Sequence, residues 1–510
     1  MRTTLIIVIT LLASMSATQE NPAQLQSAKT QQSVQTLPSP LLVLSPCNIE
    51  GTSEKVKCGT YEVYENRNSK KGRKITLKVV VFPATGKDYE PDPFVYIPGG
   101  PGSSATEDAP YVAQQFAKIR ERRDLLFVDQ RGTGGSHPLN CNFFNAADIQ
   151  SYFGYFFPLE DVRKCREQLE QKANLTLYTT PIAMDDLDEV RAALGYERLN
   201  LFGGSYGTRA SLVYLKQHPT HVRTVTLQGV APTNQYMPMD FAQGMERALQ
   251  GILAECGADE TCNRAFPNLR AETNAVLERL LQGPVEVNVR KNFDRGGDAS
   301  AAANTEDRVK VKLSRDLAVE AVRYMLYHPG GASRAPLLLH EAAQGNFVPL
   351  AENALSYRRN LVGTGANGMY LSVTCAEDLP WIKSGEGERL AANTFLGDYR
   401  LRQQREACTL WPRATIPRDY SEPVRGSAPV LILTGEWDPV TPPSNGDATA
   451  RHLPNSLHVI VPHGAHGFGG LEGIDCIQRL NTEFVEKGTV KGLDTSCVKN
   501  IRRKGFSVKL

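Results

Sequence analysis

The chain has 510 residues, 41% of them hydrophobic and 22% charged, which is ample for a large buried core and too long for one small domain. Lys plus Arg number 57 against 55 Asp plus Glu, a formal charge of +2 without a long basic run. That balance speaks against nucleic acid or an anionic membrane as partner and favours a small or neutral substrate.

In chain order, Arg2 precedes the apolar run Leu5–Leu12, too short to span a bilayer, and the small residues Ala13–Ala17 follow. This pattern predicts a signal peptide over residues 1–17 and hence a secreted or periplasmic protein with no stable membrane insertion once it is removed. Residues 18–44, rich in Gln, Ser and Pro, read as a flexible leader. Ten cysteines agree with an oxidising compartment, and their spacing suggests five local bridges: Cys47 with Cys58, Cys141 with Cys165, Cys256 with Cys262, Cys375 with Cys408, and Cys476 with Cys497. No Cys-x-x-Cys occurs and no histidine pair has ligand-like helical spacing, so neither a metal nor any other cofactor is expected.

Apolar runs predict strands at 75–82, 93–98, 124–129, 199–202, 222–228, 428–434 and 456–461, several of them apolar on both faces. Helical periodicity separates them, notably at 111–122, 182–194 and 208–217. The alternation predicts an α/β fold with a doubly wound, mostly parallel sheet, its first part spanning 45–232 and its second 426–510. Between 233 and 425 the rhythm changes to helices at 240–254, 263–281, 314–327 and 335–344 and a strand pair at 285–289 and 309–313, which reads as an inserted, mainly helical cap. The small-residue stretch 295–305 within it reads as a functionally silent loop.

The chemistry centres on Gly203-Gly-Ser205-Tyr-Gly207, where a predicted strand turns into a predicted helix. A Gly-x-Ser-x-Gly bend exposes the serine hydroxyl for nucleophilic attack. A serine needs a base, and the base needs an orienting carboxylate, in the order Ser, acid, His. Asp438, at the C-terminal end of strand 428–434, is the expected acid, with Glu436 as a substitute; His466, flanked by small residues in Gly464-Ala-His-Gly467, is the expected base, with His463 as the alternative. Oxyanion donors are expected from the amide of Tyr206 and from Gly99 or Gly100 in Pro98-Gly-Gly-Pro-Gly102. Asp129-Gln-Arg131-Gly-Thr-Gly fits neither phosphate-binding fingerprint, and both charged residues are expected to brace the active-site loops.

Taken together, Pro98-Gly-Gly-Pro-Gly, Asp129-Gln-Arg-Gly-x-Gly-x-Ser, Gly203-Gly-Ser-Tyr-Gly-Thr, Asp438-Pro-Val-Thr-Pro and Gly464-Ala-His-Gly resemble the prolyl-iminopeptidase and tripeptidyl-aminopeptidase group of α/β-hydrolases, over most of the chain from about residue 45. The tail around Asp494-Thr-Ser-Cys497 resembles that of the secreted tripeptidyl type. The resemblance implies a serine exopeptidase acting on free peptide N-termini. One departure stands out: Pro98 replaces the histidine that often opens the oxyanion loop in relatives. Recognition of an α-ammonium favours carboxylates at the pocket wall, and Glu377 and Asp378 in Thr374-Cys-Ala-Glu-Asp are the expected pair. The expected substrate is a peptide or small acyl compound. A carboxylesterase with the same three residues and a non-catalytic peptide-binding protein are the alternatives.

Overall fold

The computed structural model describes residues 42–293, 307–363 and 365–510. The predicted signal segment, nearly all of the predicted leader and the loop 295–305 lie outside the described residues. The strands are β1 (Ser45–Cys47), β2 (Val56–Tyr64), β3 (Lys74–Phe82), β4 (Phe94–Ile97), β5 (Leu125–Val128), β6 (Leu199–Gly204), β7 (Val222–Gln228), β8 (Val285–Arg290), β9 (Arg308–Leu313), β10 (Val430–Gly435) and β11 (Ser456–Val461). Nine of them form one sheet in the order β1-β2-β3-β5-β4-β6-β7-β10-β11, while β8 and β9 make a separate antiparallel ribbon. The pairs from β1 to β5 through β3 are antiparallel, and those from β5 through β4, β6, β7 and β10 to β11 are parallel.

The sheet is covered on both sides, as its two-faced apolar strands require. Along β3, Leu77, Val79 and Val81 join the core that includes helix Thr180–Ala193, whereas Val80 and Phe82 join the core with helices Ala105–Gln115 and Asp475–Lys487. Burial of each such Val or Phe contributes about 1.5–3 kcal/mol. All five expected disulfides are present.

Three local differences from the sequence reading have clear causes. β1 and β2 were not expected; β2 carries charged and half-exposed residues on its outer face, so only its pairing with β3 marks it as a strand. The helix expected from Tyr111 begins at Ala105, ahead of Pro110, because the Ser104 hydroxyl caps it by accepting from the Glu107 amide (3.1 Å) and the Thr106 amide donates to Asp129 (2.9 Å). The helix expected over 263–281 is two, Glu260–Ala265 and Leu269–Leu281, parted at Phe266-Pro267.

Between β7 and β10 the described chain is mainly helical. It includes helices Phe241–Ala258, Arg315–Met325, Pro329–Ala343, Val348–Gly363, Asn367–Glu377 and Tyr399–Leu410. The sequence reading does not include the last three; polar residues interrupt the buried positions, Ser372, Thr374 and Glu377 in Asn367–Glu377 and Arg400, Gln403 and Gln404 in Tyr399–Leu410, so no continuous aliphatic stripe marks them.

Candidate active site

Sheet register brings the motifs together. Ile97 pairs with Gly203, Gly204 with Gln228, and Gly435 with Val461, so the loops after β4, β6, β7, β10 and β11 leave the same edge of the sheet. Ser205 sits on the bend between β6 and helix Tyr206–Gln217 with φ 55° and ψ −123°, a left-handed conformation that a serine adopts only under constraint. The constraint is visible. The Ser205 amide donates to Gln228 O (2.9 Å), and its carbonyl accepts from the Thr208 amide (2.9 Å) and hydroxyl (2.5 Å). A Cβ on Gly207 would collide with the carbonyl of Ile97, so glycine there lets the helix dock directly against β4.

Asp438 is fully buried at the end of β10. Its Oδ1 accepts from the amides of Val440 and Thr441 (2.8 Å each), and its Oδ2 accepts from the Thr441 hydroxyl (2.7 Å) and lies 2.8 Å from His466 Nδ1. Burial opposes ionisation, but the His466 imidazole and the Thr441 donors outweigh it and hold the carboxyl below its ordinary value. With Nδ1 committed to a carboxylate, the basic lone pair of neutral His466 belongs to Nε2. Gly229, at φ +68°, makes room: a Cβ there would stand 3.0 Å from the Thr441 hydroxyl and 3.1 Å from His466 Cε1. From helix Phe241–Ala258, Arg247 donates to the carbonyls of Glu436 (2.6 Å) and Asp438 (2.9 Å), fixing the acid loop; nothing in the sequence pattern marked this residue.

Ser205 and His466 both line one cleft of about 330 Å³ beneath the helical segment, together with Gly100 and Pro101. Gly99 packs under the nucleophile candidate, where an added Cβ would lie 3.0 Å from Ser205 Cβ, and Tyr206 opens the helix whose first amides carry the positive end of its dipole. The alternatives point elsewhere. Glu436 accepts from the His463 amide (2.9 Å), and His463 Nδ1 faces Glu255 (3.0 Å). Glu255, Glu436 and His463, like Asp188, His218 and His221, have the spacing of a cation site. Their acceptors are already taken: Trp437 and Arg503 donate to Glu255, and Arg191 and Tyr214 to Asp188.

Asp129 and Arg131 are braces. Asp129 accepts from Ser104, Thr106 and the Gly135 amide (2.8–2.9 Å), tying the loop after β4 to the loop after β5. Arg131 grips Asp186 through two nitrogens (2.6 and 2.9 Å) and donates to the carbonyls of Glu65 and Leu177.

The expectation that Glu377 and Asp378 wall the substrate pocket needs correction. Glu377 ends helix Asn367–Glu377 and Asp378 is its C-terminal cap, and both are fully buried behind the elbow helix, apart from the cleft lining. Glu377 accepts from the Thr180 amide (2.6 Å) and hydroxyl (2.7 Å) and from Tyr420, while Asp378 accepts from Arg209 (2.8 Å) and the Met237 amide (3.0 Å). Burial, against these donors, pushes the Glu377 carboxyl up to about 7. The charged groups that do line the cleft are Arg323 and Arg400, with Tyr327, Tyr357 and Tyr370 beside them. They come from helices far apart in sequence and carry no motif.

Residues 92–272 match the model for the alpha/beta hydrolase fold, and residues 393–497 match the model for TAP-like protein. A tripeptidyl aminopeptidase of Streptomyces coelicolor is 32% identical over 467 residues, covering 87% of this chain and 83% of the relative. The chain belongs to the α/β-hydrolase family that includes this aminopeptidase. This α/β-hydrolase is also similar to serine protease Hip1 of Mycobacterium tuberculosis, 26% identical over 89% of this chain and 90% of that one, and to carboxylesterase B of the same species, 25% identical over 88% of each. It is a serine hydrolase.

Proposed function

We propose that the protein is an aminopeptidase exported from the cytoplasm that releases an N-terminal residue or tripeptide through an acyl-serine intermediate. The observation that carries this reading is the Asp438–His466 hydrogen bond of 2.8 Å beside a cleft that His466 shares with the constrained Ser205. His466 Nε2 takes the proton of the Ser205 hydroxyl as Oγ attacks the scissile carbonyl carbon. The amide of Tyr206, with that of Gly99 or Gly100, meets the oxyanion, each donor lowering the barrier by about 3 kcal/mol. Collapse of the intermediate passes the proton from Nε2 to the leaving nitrogen and leaves the acyl group on Ser205. A water molecule, deprotonated by the same nitrogen, then releases it. The five disulfides fit folding in an oxidising compartment, secreted or periplasmic, and no described helix is long and apolar enough to cross a membrane.

A carboxylesterase is the second reading, favoured by the lack of any carboxylate among the described cleft-lining residues to receive an α-ammonium. Mass spectrometry of products from a mixed peptide library, with Ser205→Ala as control, tests the choice. N-terminal fragments that vanish in the control are expected; turnover of simple esters with every peptide left intact would overturn the peptidase reading.

A further inference from the structure

Among the described residues the cleft wall carries Arg323 and Arg400 and no carboxylate, and one buried acid, Glu320, lies behind it. Glu320, fully buried behind the wall, accepts two bonds from Arg323 (2.7 and 2.9 Å), one from Tyr357 (2.9 Å) and one from Tyr399. These four donors use its lone pairs, and the Arg323 charge outweighs burial to keep the carboxyl ionised, well below the usual range. Arg323 is thereby neutralised, and its remaining Nη1 donates to the Tyr327 hydroxyl (2.6 Å).

Arg400 has no such partner. It is 4% exposed, yet its Nε and Nη1 meet no acceptor among the described residues, and Nη2 makes only a long 3.4 Å contact with the Tyr370 hydroxyl. One face of the guanidinium lies 3.7 Å from the centre of the Phe156 ring, which leaves its hydrogen-bonding edge as the part still in need of an acceptor. On the same ring lies Arg358, at 5.0 Å, buried and likewise with two nitrogens that meet no acceptor among the described residues, so a second cation without a hydrogen-bonded acid reinforces the first. The one acid whose charge reaches both, Glu320, spends its hydrogen bonds on Arg323, Tyr357 and Tyr399, so two buried guanidiniums keep unpaired nitrogens at a cost that an arriving anion would relieve. Arg400, Phe156 and Tyr370 line the cleft that holds Ser205 and His466.

We propose that Arg400 receives a carboxylate of the substrate, so that this hydrolase prefers peptides bearing an acidic group, either an Asp or Glu side chain or the α-carboxylate of a short peptide. The proposal rests on the reading of Ser205 as the nucleophile in this cleft. Arg400 then acts as a specificity residue: its planar fork pairs with a carboxylate through two parallel bonds that a neutral amide cannot reproduce.

The test uses the purified protein and matched peptides. One series exchanges Glu for Gln at each position around the scissile bond, and a second compares short peptides with free and amidated C-termini. At one carboxylate position kcat/KM is expected to exceed that of the neutral counterpart at least about tenfold, and the series in which this occurs identifies the source of the carboxylate. Arg400→Gln is expected to bring that ratio close to one, and Arg400→Lys, which keeps the charge but loses the fork, to leave an intermediate ratio. A wild-type ratio near one at every position overturns the proposal without recourse to any variant. So does a preference that survives in Arg400→Gln. If Ser205 fails to react with a fluorophosphonate, the functional reading falls and this proposal with it; a reactive Ser205 with flat ratios removes this proposal alone.

Discussion

Replacing Asp438 by Asn tests the proposed relay at the point where geometry allows one outcome. Oδ1 accepts from two backbone amides, those of Val440 and Thr441, at 2.8 Å each. An Asn amide must therefore keep its oxygen at that position, because its NH2 there would face two donors. The NH2 then takes the place of Oδ2, 2.8 Å from His466 Nδ1, and donates to it. Nδ1 becomes an acceptor and the ring proton moves to Nε2, the nitrogen that should receive the proton of Ser205. Thr441 can turn its hydroxyl to donate elsewhere, so the fold loses little. From the wrong tautomer alone, kcat is expected to fall about 10⁴-fold, equivalent to about 5 kcal/mol of barrier. The assay is turnover of an activated ester, alongside the rate at which a fluorophosphonate labels Ser205 and the thermal midpoint of the variant. Activity within about tenfold of wild type, in a variant that remains folded, would refute the assignment of Asp438 and with it the tautomer argument.

Glu377 offers a pH signature. Its folded value of about 7 lies above the ordinary 4.5, so its stabilising contribution is complete below about pH 4.5 and is lost as pH rises through 7. The interval corresponds to about 3 kcal/mol, and Glu377→Gln, neutral throughout, is expected to flatten that part of the profile; denaturation midpoints that track wild type in parallel from pH 5 to 8 would contradict it. The Cys375–Cys408 bridge closes a separation of 33 residues between helices Asn367–Glu377 and Tyr399–Leu410, which carry Tyr370 and Arg400. Replacing both cysteines by alanine should cost about 4 kcal/mol in unfolding free energy and raise KM, and an unchanged midpoint in denaturant would tell against this. Gly207→Ala drives a methyl group into the Ile97 carbonyl, so a destabilisation of about 1–3 kcal/mol and slower labelling of Ser205 are expected; normal labelling would mean that the elbow tolerates a wider separation from β4.

Much of the site was legible in the sequence because it is built from local backbone chemistry. Ser205 lies on a bend that demands glycines at fixed offsets, and Asp438 and His466 follow apolar strands directly, so strand order and sheet register carry them to one edge. The braces formed by Asp129 and Arg131 were also readable, since both follow β5 immediately. Glu377 and Asp378 read as pocket-wall carboxylates because adjacent acids suit an α-ammonium, whereas Arg209, Thr180 and Tyr420, all distant in the chain, draw them into the interior.

What the sequence determined by itself was the set of candidate residues, Ser205, Asp438 and His466, because each follows a strand whose pattern is short-range. What only the tertiary structure decided was the character of the cleft opposite it. Arg323, Arg400, Phe156 and Tyr370 come from separate segments, and whether each cation is balanced depends on which carboxylate is within hydrogen-bond reach. That is a property of packing between distant helices, where neither spacing nor composition records which buried charge is left without a partner.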